Sequence, residues 1–135
     1  MPSSPIIVGI AGGTGSGKTP VARSIYDRVG RDRIEWISHD SYYRDFHALD
    51  AEGRALVNFD HPDSLETDLL VEHIDCLVRG EAVDVPIYEF TTHRRGPDRQ
   101  RVEPRRIIIV EGILVLAEVE IRKRIDIKLF VDTPP

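Results

Sequence analysis

Residues 6–19 read IIVGIAGGTGSGKT, and the expected fold follows from this stretch. Ile6–Ala11 is short, apolar and rich in β-branched side chains, which is typical of a buried strand. A glycine-rich turn follows over Gly12–Gly17, and Lys18–Val29 then places apolar side chains at helical spacing before Gly30. Pro20 fits this helix because the N–H that it lacks has no intrahelical partner in the first turn.

The remaining chain alternates between strand and helix patterns. We predict strands at Ile34–Ser38, Arg106–Glu111 and Ile127–Val131. A helix is expected to begin at Asp63, with Glu66 completing its capping box, and to end at Arg79-Gly80, and Leu114–Arg124 is also expected to be helical. This order predicts an α/β fold with a parallel sheet flanked by helices, of the P-loop NTPase type, in which strand–helix–strand units are right-handed.

A β-hairpin is expected to interrupt this pattern. Pro86 breaks the run Val83–Phe90, which suits an edge strand or a hairpin arm better than a central strand. We place the tip at 91–100, with its turn at Gly96-Pro97, and the return arm at Arg101–Glu103. The prediction is therefore one domain over residues 1–135, with a hairpin insertion at 81–105.

Composition narrows the class of protein. The chain has 135 residues, 18 Lys+Arg and 23 Asp+Glu, so its formal net charge is −5. This acidic balance argues against nucleic-acid binding, which depends on neutralising phosphates. No apolar run approaches a membrane span, no basic region precedes the first apolar stretch, and Cys76 has no partner for an internal disulfide. These features predict a cytoplasmic protein without a membrane partner.

The glycine-rich turn matches the pattern G-x-x-x-x-G-K-[ST] between a predicted strand and a predicted helix. Its backbone N–H groups and the helix N-terminus would converge on phosphate oxygens, with Lys18 reaching the β/γ-phosphates and the Thr19 hydroxyl binding Mg²⁺. The plain alternative is a glycine turn without a ligand. The predicted phosphate-binding residues are Gly12, Gly13, Thr14, Gly15, Ser16, Gly17, Lys18 and Thr19.

Two carboxylates follow strands that should end at the same edge of the sheet. Glu111 closes the run Ile107–Val110 and is expected to face Mg²⁺, the alternative being an acid that caps a nearby helix. Asp40 follows the second strand and is the best-placed acid to take a proton from an attacking hydroxyl, unless it only closes a turn. Competing acids are Asp45, Asp50 and Asp60; His39 and His61 are weaker candidates, more typical of structural or solvated positions.

Five stretches of the chain occur in an order that is typical of a known protein family. They are Gly12–Thr19, Ser38-His39-Asp40-Ser41-Tyr42-Tyr43, Asn58-Phe59-Asp60-His61-Pro62-Asp63, Pro86-Ile87-Tyr88-Glu89-Phe90 with His93, and Glu111-Gly112-Ile113-Leu114. Together they resemble uridine kinase (uridine–cytidine kinase), over essentially the whole chain. The stretch Asn58–Pro62 and the stretch Tyr88–Phe90 with His93 are more specific than the phosphate loop, which many phosphate-binding proteins share.

The resemblance implies phosphorylation of uridine or cytidine at the 5′-hydroxyl, with ATP or GTP as donor and Mg²⁺ as cofactor. It implies that Asp40 is the general base, that Asp60 binds the ribose hydroxyls and that His93 reads the base edge. Arg94, beside His93, is expected to help close over the substrate. The implied base pocket consists of Tyr43, Phe59, Tyr88 and Phe90, although Tyr88 and Phe90 could equally pack the hairpin.

The resemblance also implies a homo-oligomer, a tetramer, and a chain that continues after Val131–Thr133 into an arginine-bearing lid. Residues 1–135 do not include such a lid, so we expect them to form the core of the kinase. Two other functions stay open at this point. One is a related kinase for a sugar phosphate or another small alcohol, and the other is a nucleotide-binding module without catalysis.

Overall fold

A computed structural model describes residues 4–13, 16–43, 65–89 and 94–132. The strands are β1 (Ile6–Ala11), β2 (Ile34–Ser38), β3 (Val83–Glu89), β4 (Arg94–Val102), β5 (Ile107–Glu111) and β6 (Ile127–Phe130). The helices are α1 (Lys18–Val29), α2 (Thr67–Val78) and the single turn α3 (Val119–Arg122). A 3₁₀ turn over His39–Tyr42 follows β2 directly.

Four parallel strands form the main sheet, in the order β2-β5-β1-β6. The register aligns their carboxyl ends, because Glu111 stands beside both Ile10 and Ser38. The prediction of a parallel sheet flanked by helices is confirmed. The two strands joined by α1 are not neighbours, however, since β5 lies between them, and this insertion brings Glu111 to the centre of the sheet edge.

The sheet is covered on both faces. Alternate side chains of β1, β2 and β5 point to opposite sides of the sheet, so these strands supply both cores. On one side Val8, Ile10, Ile34 and Ile109 cluster with Ala22 of α1. On the other side, Ile7, Ile37, Ile108 and Val110 cluster with Leu70, Ile74 and Leu77 of α2. Burying each such aliphatic side chain contributes about 1.5–3 kcal/mol, so these two layers hold the sheet edge in place.

The hairpin is confirmed, but its turn is not at Gly96-Pro97. Both residues lie inside β4, whose pairing with β3 runs from Arg94 opposite Glu89 to Val102 opposite Val83. The register shifts between Pro86 and Tyr88, where residues 96–98 stand opposite Ile87 alone. A bulge tolerates Pro97, which has no N–H for the ladder, and so the glycine–proline pair bends a strand that continues through it.

The prediction of a helix over Leu114–Arg124 is correct only for the single turn Val119–Arg122. Residues 113–117 form backbone turns, with one helical hydrogen bond from the Glu118 N–H to the Leu114 carbonyl at 3.0 Å. Leu114 packs against the cluster of Tyr43, Leu65 and Tyr88, while the adjacent Val115 enters the main core. The chain is drawn into two different apolar clusters, and this overrides the local helical spacing.

The predicted start of the second helix is also corrected. Helix α2 begins at Thr67, with Glu66 as its flanking residue, and Asp63 lies outside the described residues. Within the described ranges, no helix is long and apolar enough to cross a membrane.

Candidate active site

The glycine-rich turn joins β1 to α1 at the carboxyl edge of the sheet. Gly17 flanks the helix with a φ of 98°, a left-handed conformation that favours glycine. Among the described residues no side chain caps α1, and its first turn has no acidic residue. The positive end of the helix is therefore available to an anion, above a surface depression lined by Gly17, Lys18, Thr19 and Pro20.

The loop also packs too tightly for a larger residue at its start. A Cβ atom on Gly12 would lie 2.5 Å from Ser16 Oγ and 2.7 Å from the Val131 carbonyl oxygen. Ser16 Oγ is itself buried and has no hydrogen-bond partner in the described part of the chain. A hydroxyl in that position can donate to a phosphate oxygen, so the loop fits the ligand that its sequence predicts.

Glu111 meets the start of α1 across this edge. The Thr19 hydroxyl donates a hydrogen bond to Glu111 Oε2 at 2.7 Å, and the Trp36 indole N–H donates to Oε1 at 3.3 Å. Glu111 is buried, with 6% of its surface exposed. The hydroxyl and carboxylate predicted to share a metal ion are thus in direct contact.

The donor chemistry suits Mg²⁺. Thr19 and Glu111 offer oxygen ligands only, and Mg²⁺ is commonly bound by one or two protein oxygens together with substrate phosphates and water. In the described ranges, no group of three or more His, Cys, Asp or Glu side chains could hold a metal ion by itself. A metal at this edge would therefore need phosphate oxygens to complete its coordination.

Asp40 lies in the 3₁₀ turn at the end of β2, close enough to Lys18 and Glu111 for their charges to act on it. Burial raises the pKa of the Asp40 carboxyl; the positive charge of Lys18 opposes this shift and the negative charge of Glu111 adds to it. The structure therefore brings together the three residues predicted to handle the proton, the phosphates and the metal. A carboxylate with a raised pKa is a better proton acceptor near neutral pH.

His39 is the first residue of this turn, and its side chain is buried. Its Nε2 is 3.1 Å from Thr67 Oγ1, its Nδ1 has no partner among the described residues, and only 1% of its surface is exposed. Burial lowers the pKa of His39 to about 4, so the ring is neutral at physiological pH. A Cβ atom on Gly112 would lie 2.7 Å from His39 Cβ, so glycine is needed for this close approach. His39 accordingly has a structural role.

Two of the residues implied for the base pocket are in contact. The rings of Tyr43 and Tyr88 lie 5.3 Å apart at 45°, and both are buried together with Leu65. Leu114 packs against the same group. The contact joins β3 to the turn that carries Asp40, so it brings the hairpin to the same edge of the sheet.

Arg95 also connects the hairpin to this turn. Its guanidinium donates to the Tyr43 carbonyl at 3.1 Å and to the Tyr42 carbonyl at 3.4 Å. It also forms an ion pair with Glu66 at 2.7 Å, and only 14% of the Arg95 side chain is exposed. Glu66 N–H donates to the Tyr42 carbonyl as well, at 2.7 Å. One arginine of β4 therefore binds the end of the 3₁₀ turn and the start of α2.

Other predicted site residues fall outside the described ranges. Arg94 opens β4 opposite Glu89, but its side chain is among those not described. The assignments made for these residues stay predictions. The residues outside the described ranges are Thr14, Gly15, Asp45, Asp50, Phe59, Asp60, His61, Phe90 and His93.

Comparison with known proteins identifies the family of this chain. The sequence profile of the phosphoribulokinase / uridine kinase family matches residues 7–134. The chain belongs to this family. It is 55% identical, over 98% of its length, to a uridine kinase of Chloroflexus aurantiacus, and 50% identical over 98% to one of Streptococcus thermophilus. It spans 64% and 63% of the length of these two relatives.

A solved structure has a fold similar to that of this chain. A structure described as a possible uridine kinase from Bacillus stearothermophilus superposes with a TM-score of 0.73 at 19% identity. The match covers 99% of this chain and 74% of that one. At this identity the likeness supports the P-loop kinase fold and nothing more specific.

Sequence reasoning missed the roles of two residues. Arg95 was not among the predicted site residues, and nothing in its spacing separates it from Arg99 and Arg101 of the same arginine-rich segment. Trp36 was treated only as part of a strand. Its parity with Ser38, two residues from the end of β2, was the available signal that it faces the site.

Proposed function

We propose that this protein is a uridine kinase, which transfers the γ-phosphoryl group of ATP or GTP to the 5′-hydroxyl of uridine or cytidine. The observation that carries the proposal is the convergence of Lys18, Asp40 and the Thr19–Glu111 pair at one edge of the sheet. These groups are the ones that phosphoryl transfer to an alcohol requires. The identity of about half or more with uridine kinases over almost the whole chain supports the choice of acceptor.

Asp40 accepts the proton of the attacking hydroxyl. The attacking hydroxyl must lose its proton as the new phosphorus–oxygen bond forms, and an ionised Asp40 can accept that proton at its carboxylate. Burial keeps water from competing for the carboxylate and raises its pKa, while Lys18 nearby favours the charged form that a base needs. The same half-buried position orients the hydroxyl toward the phosphate loop.

The glycine-rich loop and the start of α1 bind the phosphates. The N–H groups at the start of α1, the Lys18 ammonium and the Ser16 hydroxyl bind and orient the phosphate oxygens. Thr19 and Glu111 would hold Mg²⁺, which when bound neutralises charge on the phosphates. Because Thr19 donates to Glu111 through its proton, the lone pairs of its oxygen remain available to the cation.

The hairpin binds the nucleoside. Tyr43 and Tyr88 form an apolar wall, and Phe59 and Phe90 would extend it to enclose a flat base. His93 would read the exocyclic edge, Asp60 would bind the ribose hydroxyls and Arg94 would help to close the pocket. In this reading the hairpin at 81–105 is an acceptor-binding insertion in a single kinase core over residues 1–135. We further propose a cytoplasmic homotetramer that acts in pyrimidine salvage.

The direct test is to incubate the chain with Mg·ATP and uridine and to quantify UMP. A second panel replaces uridine with cytidine, a purine nucleoside or a sugar phosphate at equal concentration. Selective formation of UMP and CMP supports the proposal. Phosphorylation of the sugar phosphate would instead indicate a related kinase for that substrate. Binding of Mg·ATP without any product would favour a non-catalytic module. The same panel on a chain extended beyond Pro135 tests whether a lid is required.

A further inference from the structure

Both oxygens of the Glu111 carboxylate are engaged, by partners of different kinds. Oε2 accepts from the Thr19 hydroxyl in the phosphate loop, whereas Oε1 accepts from the Trp36 indole N–H at the neighbouring strand. The Thr19 contact belongs to the site already described. The Trp36 contact has no role in phosphate or acceptor binding, so its position calls for a separate explanation.

The register places Trp36 where it can reach the carboxylate. Trp36 pairs with Ile109 and Ser38 with Glu111, so Trp36 and Glu111 point to the same face of the sheet, toward α1. A tryptophan two residues before the strand end spans this distance with its ring and presents its single donor at the far end. A phenylalanine in its place would keep a smaller aromatic ring at this position and would have no donor.

The ring is held from the other side by α1. The Arg23 guanidinium lies 4.9 Å from the centre of the Trp36 ring, and the Tyr26 ring lies 6.2 Å away at 49°. A cation over an indole face and a neighbouring aromatic ring each favour one ring orientation. The indole N–H is thus presented to Glu111 by a packed side chain with restricted rotation.

We propose that Trp36 is a positioning residue for the metal-binding carboxylate, and that its emission reports metal binding. The proposal rests on the assignment of Glu111 to Mg²⁺ made above. With Oε1 held by the indole, the carboxylate keeps Oε2 beside Thr19, where the two oxygen ligands act together. Groups that hydrogen-bond a metal ligand commonly change metal affinity or activity by about 10–100-fold when removed.

The main experiment compares Trp36→Phe with Tyr26→Phe. Trp36→Phe keeps an aromatic ring but removes the donor to Glu111, whereas Tyr26→Phe alters a ring of the same cluster that does not donate to Glu111. Titration calorimetry measures the affinity for Mn²⁺ in the presence of a non-hydrolysable ATP analogue, and separately the affinity for the analogue without metal. We expect Trp36→Phe to weaken Mn²⁺ binding about tenfold or more, and Tyr26→Phe to leave it within twofold of the wild type.

Metal-free analogue binding is expected to be unchanged in both variants, because neither contact reaches the phosphate loop directly. A Mn²⁺ affinity within twofold of wild type for Trp36→Phe, together with clear weakening by Glu111→Gln, would overturn the role of Trp36 and leave the metal assignment intact. If Glu111→Gln also leaves the affinity unchanged, the metal assignment itself fails, and the role of Trp36 with it.

A measurement on the wild-type chain covers the case in which Trp36→Phe does not fold. The sequence has one tryptophan and four tyrosines, so emission excited at a wavelength that tyrosine does not absorb comes from Trp36 alone. Adding Mg²⁺ to the complex with the ATP analogue should shift or quench this emission, with the same midpoint as a calorimetric titration with Mg²⁺. Glu111→Gln should abolish the change. An emission that does not respond while calorimetry shows metal binding would contradict the proposal.

Discussion

The phosphate edge (residues 12–19 with Glu111) and the hairpin side (β3 and β4 with Tyr43) meet at the same site, but they are held there by different contacts. The phosphate edge is built from consecutive residues and one strand end, joined by the Thr19–Glu111 hydrogen bond. The hairpin side depends on contacts between residues far apart in sequence, such as Tyr43 with Tyr88 and Arg95 with Glu66. Damage at one side should therefore leave the function of the other largely intact.

The two sides also differ in their reliance on side chains. The phosphate edge works largely through backbone N–H groups and a helix end, which follow from the turn itself. The hairpin side is positioned by a half-buried guanidinium that satisfies two carbonyls and a carboxylate. A single side-chain change can therefore disconnect the hairpin, whereas the loop is most sensitive to changes that block its backbone.

Asp40 stands between the two sides, and its loss should have the largest effect. Asp40→Asn keeps the shape of the side chain but removes the proton acceptor, so we expect turnover of uridine to fall by about 10²–10⁴-fold. Binding of Mg·ATP should be retained, because the phosphate edge does not need Asp40. Initial rates of UMP formation and calorimetry with Mg·ATP check the two halves of this expectation. Retained turnover in the variant would exclude Asp40 as the base.

Arg95→Lys should separate the two sides. Lysine keeps the charge but cannot reach two carbonyls and Glu66 at once, so the hairpin should lose its connection to the turn. We expect the KM for uridine to rise about tenfold while the KM for ATP stays within twofold. Arg99→Lys is the matched control, since Arg99 donates only to carbonyls of its own strand among the described residues. Equal changes in both KM values would mean that the sides are not independent.

Gly112→Ala tests the close packing between the end of β5 and the 3₁₀ turn, which lies between the two sides. The added Cβ atom would press on His39 Cβ at 2.7 Å and push the 3₁₀ turn away from β5. Overpacking of this kind commonly costs about 1–3 kcal/mol, measurable as a lower free energy of unfolding in urea. Gly13→Ala provides the control, because nothing described lies within 4 Å of a Cβ atom there. Similar losses in both variants would argue against a specific clash.

The pH dependence of stability gives the smallest effect. Burial raises the pKa of Asp40 in the folded chain, so the folded state holds this proton more tightly than the unfolded state does. The stability that this proton contributes is fully present below the unfolded pKa and is lost as pH rises through the folded pKa. Asp40→Asn should therefore be more stable than wild type at pH 7, with the difference shrinking in acid. Urea unfolding at pH 4 and pH 7 measures it, and a wild type more stable than Asp40→Asn at pH 7 would contradict the raised pKa.

Much of the phosphate edge was predictable because its information is local. A buried strand, a glycine turn and Lys18-Thr19 specify the shape and chemistry of the loop over fourteen consecutive residues, 6–19. Glu111 was predictable for a related reason: parallel strands end at one edge, so a carboxylate after a buried strand must lie near the loop. The family resemblance added the acceptor, which the residues alone left open.

The hairpin side was less predictable because its contacts are not local. Gly96-Pro97 is a strong turn signal in isolation, yet pairing with β3 accommodates it in a bulge. Leu114–Arg124 has helical spacing, yet two apolar clusters draw Leu114 and Val115 apart. Arg95 cannot be told from its neighbours in the sequence, since its partners are brought to it only when the hairpin folds onto the 3₁₀ turn.

The sequence by itself therefore determined the alternation of strands and helices, the phosphate loop and the two acids at the strand ends. Short-range sterics and hydrophobic spacing act within a few residues, and they suffice for those features. The tertiary structure alone decided that β5 separates β1 from β2, that Arg95 joins the hairpin to the turn and that Trp36 holds Glu111. Each of these depends on long-range packing, which brings together groups that no local pattern relates.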